Sequence, residues 1–207
     1  MNYFAHAWVA SRVRAAPRFV LGAMLPDLAG FLRIRLPEQR HPEVAGGVAL
    51  HHATDRAFHE LPGFRQRNRS GVRALRALGL ARGSARAASH VGIELVLDAA
   101  LAVGCRSTLG HFGAALGAGE CIDTESAEDA RAIEQMRERL AGFDPTRQLG
   151  ATQIAERVRR TLAARPALAL RAQDLEPLAG WLHELQGQLA PEAEALARET
   201  LRRARAS

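Results

Sequence analysis

Three histidines and one aspartate lie close together in "GVALHHATDRAFHELPGFR", which covers residues 47–65. His51, Asp55 and His59 follow one another at intervals of four, whereas His52 is offset by one position. In an α-helix, residues four apart lie about 40° apart around the axis and about 6 Å apart along it. His51 and Asp55 can therefore bind one divalent cation together. A solvated helix face is the alternative, and for His52 and His59 a position at the rim is the preferred interpretation.

A second stretch, "HVGIELVLDAAL", repeats this spacing with His90, Glu94 and Asp98. These three side chains span about 12 Å along a helix, so only adjacent pairs can hold the same ion directly. Their helix is otherwise apolar, and carboxylates buried among alanine and leucine are costly unless they are paired or bound to a cation. Ion pairs between Glu94 or Asp98 and nearby arginines are the alternative.

Two further groups come from the start of the chain. Asp27 lies in the Gly/Pro-containing segment "LGAMLPDLAG", and His6 lies in "MNYFAHAWVA". For His6 alone, a core histidine bonded to a backbone carbonyl is the simpler interpretation. Together the four segments offer a mixed histidine and carboxylate ligand set, which suits manganese, iron or zinc. The other histidines are isolated in the sequence and are not assigned to a site: His41, His111 and His183.

Composition limits the class of protein. The 207 residues fit one domain, residues 1–207, with 47% hydrophobic and 24% charged residues. All basic residues are arginine, and the net charge of +6 favours acidic partners. No run of eighteen apolar residues occurs, so no membrane span is expected. The first residues lack the pattern of a secretory signal, so a cytoplasmic location is expected.

Several other chemistries have no support in the sequence. No serine or cysteine lies in a G-x-S-x-G turn, and "VAGGVAL" lacks the lysine and spacing of a phosphate-binding loop. Cys105 and Cys121 form no C-x-x-C pair, so reduced thiols are expected. Nucleic-acid binding is not expected, because the arginines are not interleaved with aromatic residues.

Hydrophobic residues recur at helical intervals through most of the chain, which predicts an all-α fold. The first half is predicted to contain helices from Asn2 as N-cap to about Val13, over residues 18–31 with an interruption at Pro26, over roughly residues 42–60, over residues 63–79 and from Gly83 to Gly104. A loop is predicted at "RIRLPEQRHPE". In the last third, Ser126 and Asp129 resemble a capping box that opens a helix ending near Gly142. Further helix starts are predicted at Asp144-Pro145, Asp174 and Pro191.

Four of these segments together resemble the bacterial acyl carrier protein phosphodiesterase family, whose fold is similar to that of HD-type metal-dependent phosphohydrolases. "MNYFAHAWVA" is similar to its M-N-x-x-A-H element, and "LGAMLPDLAG" to its G-N-x-x-x-D-x-x-x-G element. "GVALHHATDRAFHELPGFR" resembles its G-x-x-x-H-x-x-x-D-x-x-x-D stretch, and "IELVLDAAL" its D-x-x-x-D-H-x-L helix. The resemblance covers the first half of the chain. The matched positions are His6, Asp27, His51, Asp55, Glu94 and Asp98.

The chain departs from the family pattern at four positions. Ala23 replaces an asparagine, and His59 and Glu94 each replace an aspartate. Ala99 replaces the histidine of the D-H pair, which removes a ligand or a proton donor. His90 lies on the same predicted helix and is a candidate to supply an imidazole in its place. These departures bear on the choice of metal and on the substrate.

The resemblance implies an HD-like domain that hydrolyses the phosphodiester between phosphopantetheine and a serine of acyl carrier protein, usually with manganese; iron or zinc are the alternatives. Asp27, His51, Asp55 and Asp98 would hold the ion or orient water, and Glu94 or His90 would act as acid or base. Arg56 would neutralise the phosphate. Acyl carrier protein, or another acidic or phosphorylated substrate, is the expected partner. The competing hypothesis is a non-catalytic metal-binding or scaffold protein that has kept the fold.

Overall fold

Helices carry the regular structure of residues 1–142 and 150–206, the parts of the chain that the computed structural model describes, and no strand occurs in these ranges. The helices are α1 (Tyr3–Val13), α2 (Pro17–Leu32), α3 (Pro42–Glu60), α4 (Pro62–Ala77), α5 (Arg82–Gly104), α6 (Arg106–Gly117), α7 (Ala127–Ala141), α8 (Ala151–Ala163), α9 (Leu175–Leu189) and α10 (Ala193–Ala204). The all-α prediction is confirmed, whereas the HD-like arrangement stays a prediction. The helix start predicted at Asp144-Pro145 lies outside the described residues.

Several helix ends follow the predicted signals. Pro42 occupies the first turn of α3, and the backbone N–H of Glu43 donates to Nδ1 of His41 at 3.3 Å, so His41 caps this helix. At α7, the N–H of Asp129 donates to the hydroxyl of Ser126 at 3.0 Å. Asp174 directly precedes α9, although its side chain makes no capping hydrogen bond to that helix. Capping side chains therefore mark the starts of α3 and α7 in the sequence.

The predicted interruption at Pro26 is wrong, because α2 continues through it to Leu32. A proline inside a helix removes one hydrogen bond and costs roughly 3 kcal/mol. This helix lies against α1, α3 and α6, and it buries a row of large side chains that offsets the cost. The buried row consists of Leu21, Met24, Leu25 and Leu28. Packing therefore overrides the local signal and leaves Asp27 on a continuous helix.

Two glycines bring α2 and α3 unusually close together. A Cβ atom on Gly22 would lie 2.3 Å from the carbonyl oxygen of Val44, and one on Gly47 would lie 2.2 Å from that of Phe19. Real Cβ contacts are essentially never shorter than 3.0 Å. Only glycine therefore permits this approach, which brings Asp27 on α2 near His51 on α3.

Helix α5 is the longest apolar helix of the described chain. It packs against α1, α4, α8 and α9, and it buries Ile93, Leu97 and Leu101. By length and composition alone it could cross a membrane, and 61% of its apolar window is buried within the fold. The same test is passed by core helices of soluble proteins, so it is weak evidence for a span. Within the fold, α5 carries His90, Glu94 and Asp98 toward α1 and α3.

Candidate metal centre

Helices α1, α2 and α3 each contribute one side chain to a buried cluster. His6, Asp27 and His51 offer one ligand atom each, and these atoms all lie within 4.8 Å of one another. Nε2 of His6 lies 3.7 Å from Oδ2 of Asp27. The imidazole rings of His6 and His51 stack with their centroids 4.0 Å apart. The sequence therefore predicted three residues that the fold brings together.

Two atoms of this cluster are buried without a hydrogen-bond partner among the described residues: Nε2 of His6 and Oδ2 of Asp27. Leaving a buried polar atom unsatisfied costs about 1–3 kcal/mol, and most such atoms find a partner. These two face each other at a distance too long for a hydrogen bond. A cation between them would satisfy both.

The far side of each imidazole is held by a hydrogen bond. Nδ1 of His51 donates to the backbone carbonyl of Ala23 at 2.9 Å. Nδ1 of His6 lies 3.4 Å from the hydroxyl of Thr54, which itself donates to the carbonyl of Leu50 at 2.8 Å. The hydroxyl is then an acceptor for His6, and both rings keep an Nε2 lone pair free. Such a partner on the distal nitrogen is typical of metal-ligating histidines.

Burial sets the protonation of the cluster. It lowers the pKa of His51 to about 4 and that of His6 well below its usual range, so both imidazoles are neutral at pH 7. Burial raises the pKa of Asp27 well above its usual range. The N-terminal ammonium group lowers this pKa, and the neighbouring carboxylates Glu94 and Asp98 raise it further. Both imidazoles are therefore in the metal-ligating form, whereas burial favours the protonated form of Asp27, which would release its proton when an ion binds.

Asp55 and Glu94 lie beside this cluster and share a partner that the sequence did not reveal. The α-ammonium group of Met1 donates to Oδ1 of Asp55 at 3.0 Å and to Oε1 of Glu94 at 3.1 Å. Burial alone would lower the pKa of this amine, but the two carboxylates raise it to about 10. The ammonium group is thus a fixed positive charge between α3 and α5.

His59, which the sequence placed at the rim, belongs to the same network. Its Nδ1 lies 3.2 Å from Oδ2 of Asp55, and its Nε2 lies 3.1 Å from Oε1 of Glu94. His90 reaches the same oxygen of Glu94 at 3.2 Å. The i, i+4 spacing contained the signal for His59, because it lies on the same face as His51 and Asp55.

Asp98 has another role in this structure. Its two carboxylate oxygens accept the backbone N–H groups of Phe4 at 3.2 Å and Ala5 at 2.9 Å. These N–H groups belong to the first turn of α1, where no helical partner is available. Asn2, the N-cap residue, makes no side-chain cap bond. Asp98 therefore caps α1 from α5, and it is not among the grouped ligand atoms.

Arg56 is exposed on α3, about 100° around the helix from its neighbour Asp55. It therefore points away from the buried cluster. A groove of about 630 Å³ is lined by Pro26 and His52 among other residues of α2, α3 and the segment between them. His6, Asp27 and His51 do not line this groove, so it is not part of the buried cluster.

Taken together, these features define an all-α protein with a buried histidine and carboxylate cluster that can hold a metal ion. In comparisons with known proteins, no family model, curated protein or solved structure matches the chain. The resemblance to the acyl carrier protein phosphodiesterase family therefore remains a prediction that rests on the four motifs.

Proposed function

We propose that the protein is a metal-dependent, phosphodiesterase-like hydrolase whose catalytic ion is held by His6, Asp27 and His51. The observation that carries this proposal is the pair of unpartnered buried atoms, Nε2 of His6 and Oδ2 of Asp27, which face each other beside His51. An ion at this point would remove the cost of burying both.

The residues fit a divalent transition metal. Two neutral imidazoles and one carboxylate are a ligand set that manganese, iron and zinc all accept. We favour manganese, because the resemblance of the four motifs implies it. Three protein ligands leave coordination positions open, which is typical of catalytic sites rather than of closed structural ones.

The protein groups around the centre have distinct roles in such a reaction. A divalent ion supplies Lewis-acid stabilisation of the phosphoryl group and makes water easier to deprotonate. Ammonium and imidazole partners lower the pKa of Glu94 despite its burial, so Glu94 is ionised and can accept a proton but not donate one. His90, which lies 3.2 Å from Glu94 and is 39% exposed, is the candidate proton donor to the leaving group.

The substrate class follows from charge and from the resemblance. With a net charge of +6, the protein attracts acidic partners at long range. Phosphopantetheine-bearing acyl carrier protein combines an acidic surface with a phosphodiester, and it is the substrate that the motifs imply. Such a substrate would place the protein in the cytoplasm. Arg56 is exposed and can contact an acidic partner only at the surface.

A non-catalytic scaffold is the second candidate, and one observation favours it. The ammonium group of Met1 and the imidazolium of His59 together balance the charges of Asp55 and Glu94, so this network beside the cluster is stable without a metal ion. Ala99 also lacks the histidine that the family pattern has. In this case the protein would use its helices as a binding surface and would not catalyse the reaction.

Metal analysis followed by an assay separates the two candidates. Metal-free protein is loaded with manganese, iron or zinc, and bound metal is measured for the wild type, for Asp27→Asn and for the surface control Glu138→Gln. Hydrolysis of holo-acyl carrier protein and of bis(p-nitrophenyl) phosphate is then assayed. Loss of metal and activity in Asp27→Asn alone supports the hydrolase. Bound metal without hydrolysis supports the scaffold, and no bound metal overturns the hydrolase and leaves the scaffold as the function.

A further inference from the structure

A second group of ligand-type atoms lies beside the proposed catalytic centre, and it includes Glu94 and His90, which would not serve as base and acid in the proposed reaction while they hold an ion. His59, His90 and Glu94 each offer one such atom, and these atoms lie within 4.8 Å of one another. Nε2 of His59 and Nε2 of His90 lie 3.1 Å and 3.2 Å from the same oxygen, Oε1 of Glu94. The two imidazole rings stack with their centroids 4.7 Å apart. Three side chains from two helices thus converge on one point.

The spacing of these atoms resembles that of ligands around a metal ion. In a tetrahedral site with metal–nitrogen bonds of about 2.0–2.1 Å, neighbouring ligand atoms are about 3.3 Å apart. The two separations from Oε1 of Glu94 are within about 0.2 Å of that value. All three ligand-type atoms lie within 4.8 Å of one another, so a movement of at most about 1.5 Å brings the two imidazole nitrogens to the same spacing.

Asp55 orients one of the ligands. Its Oδ2 lies 3.2 Å from Nδ1 of His59, which leaves Nε2 of that ring directed at Glu94. A carboxylate on the distal nitrogen of an imidazole fixes the ring and increases its basicity toward a metal. Asp55 is thus a positioning residue for His59 and not a ligand in this group.

The group differs from the proposed catalytic centre in position and in access. His51 and His59 are two turns apart on α3, which separates their backbones by about 12 Å. The side chains of His59 and His90 are 30% and 39% exposed, whereas that of His6 is 1% exposed. An ion from solvent can therefore reach this group without entering the core.

We propose that His59, His90 and Glu94 form a second divalent-cation site, with a preference for zinc or a similar borderline ion. Two imidazoles and one carboxylate are ligands that zinc favours, and water completes the coordination. The ion replaces the protons that Nε2 of His59 and Nε2 of His90 direct at Glu94, and both protons leave these nitrogens for solvent. It also competes with the ammonium group of Met1 for Oε1 of Glu94.

Zinc alone is the probe for this site. Metal-free protein is equilibrated with zinc, and bound zinc per chain is measured for wild type, His90→Gln, Asp27→Asn and the double variant. His183→Gln, a change at an exposed position on α9, is the matched control. Because His90 is partly exposed, its replacement should not disturb the fold, and circular dichroism verifies this.

The expected result is two zinc ions in the wild type and in the control, one in each single variant and none in the double variant. An unchanged zinc content in His90→Gln overturns the second site, whatever Asp27→Asn does. A wild type that binds one zinc ion, together with single variants that bind none, also overturns it, since the two groups would then share one ion. If only His90→Gln loses zinc, the second site stands and the proposed catalytic centre fails.

Cobalt provides an independent readout at the same site. Tetrahedral cobalt(II) absorbs visible light much more strongly than octahedral cobalt, so a four-coordinate site is detected directly. We expect the visible bands of the cobalt-loaded protein to lose intensity in His59→Gln and in His90→Gln. Identical spectra for these variants and the wild type would overturn the assignment of the two imidazoles.

Discussion

The backbone carbonyl of Ala23 on α2 accepts a hydrogen bond from Nδ1 of His51 on α3 at 2.9 Å. This bond requires the two helices to be close, and Gly47 permits the approach because its missing Cβ would lie 2.2 Å from the carbonyl oxygen of Phe19. The orientation of a candidate metal ligand therefore depends on a glycine one turn earlier in the same helix.

Replacing Gly47 with alanine should both destabilise the fold and weaken metal binding. The added methyl meets backbone atoms that cannot rotate away, so we expect a loss of about 1–3 kcal/mol in the free energy of unfolding. Urea denaturation and metal titration check this. The control is Gly113→Ala on α6, which has open space and should gain about 0.5–1 kcal/mol. Equal stability of Gly47→Ala and the wild type would contradict the close packing of α2 on α3.

Asp98→Asn tests whether this residue serves mainly as a cap or as a metal ligand. The amide oxygen can accept only part of what two carboxylate oxygens accept from Phe4 and Ala5, so α1 loses capping. We expect the free energy of unfolding to fall by about 1–2 kcal/mol, as for other lost N-caps. Bound metal per chain at saturation should stay unchanged. A loss of metal with unchanged stability would instead make Asp98 a ligand, as its motif implies.

The charge network around Glu94 should make the metal-free protein sensitive to alkali. Burial opposes the charge on His59, but hydrogen bonds to Asp55 and Glu94 raise its pKa to about 9. A raised pKa means that the folded state holds this proton more tightly than the unfolded state, whose pKa is 6.5. The stabilisation is complete below pH 6.5 and is lost as the pH rises through 9. The Met1 ammonium group, with a pKa of about 10, acts in the same direction.

We therefore expect the free energy of unfolding to fall between pH 7 and pH 10, and to fall less in His59→Asn. Urea denaturation of the metal-free protein at several pH values measures this, with His183→Gln as the control. Parallel pH profiles for His59→Asn and the wild type would show that His59 carries no extra proton in the folded state.

Much of the fold was accessible from the sequence, because its signals are local. Proline and glycine positions and capping side chains gave the bounds of α3, α5 and α7 closely. The interruption predicted at Pro26 was wrong, since the packing that keeps α2 continuous comes from helices distant in sequence. The prediction did not assign α6 (Arg106–Gly117), which has few polar residues to mark its faces.

The candidate site was predictable in its members but not in its arrangement. Helical spacing identified His51 and Asp55, yet one helix cannot show that His51 joins α1 and α2 while His59 joins α5. The use of Asp98 as a cap for α1 and the ion pair of Met1 with Asp55 also depend on how helices dock. Such contacts join residues more than fifty positions apart, and no local pattern encodes them.

The hydroxyl of Thr54 provides the last test, because it contacts Nδ1 of His6 and, at 3.1 Å, the backbone carbonyl of His51. Thr54 donates to the carbonyl of Leu50 and accepts from Nδ1 of His6, which leaves Nε2 of His6 free for an ion. Thr54→Val keeps the shape of the side chain and removes this acceptor. Loss of such a partner typically weakens metal binding 10–100-fold, so we expect a change of about that size in affinity for manganese or zinc.

Competition with a chromophoric chelator measures the affinity, and Thr54→Ser should restore most of it because serine keeps the hydroxyl. Thr161→Val, at an exposed position on α8, should bind metal like the wild type. If Thr54→Val also retains wild-type affinity, then His6 does not depend on this hydroxyl or does not bind the ion. A weakened Thr54→Val that serine restores would tie the metal to Nε2 of His6, since a packing defect alone would not respond to the hydroxyl.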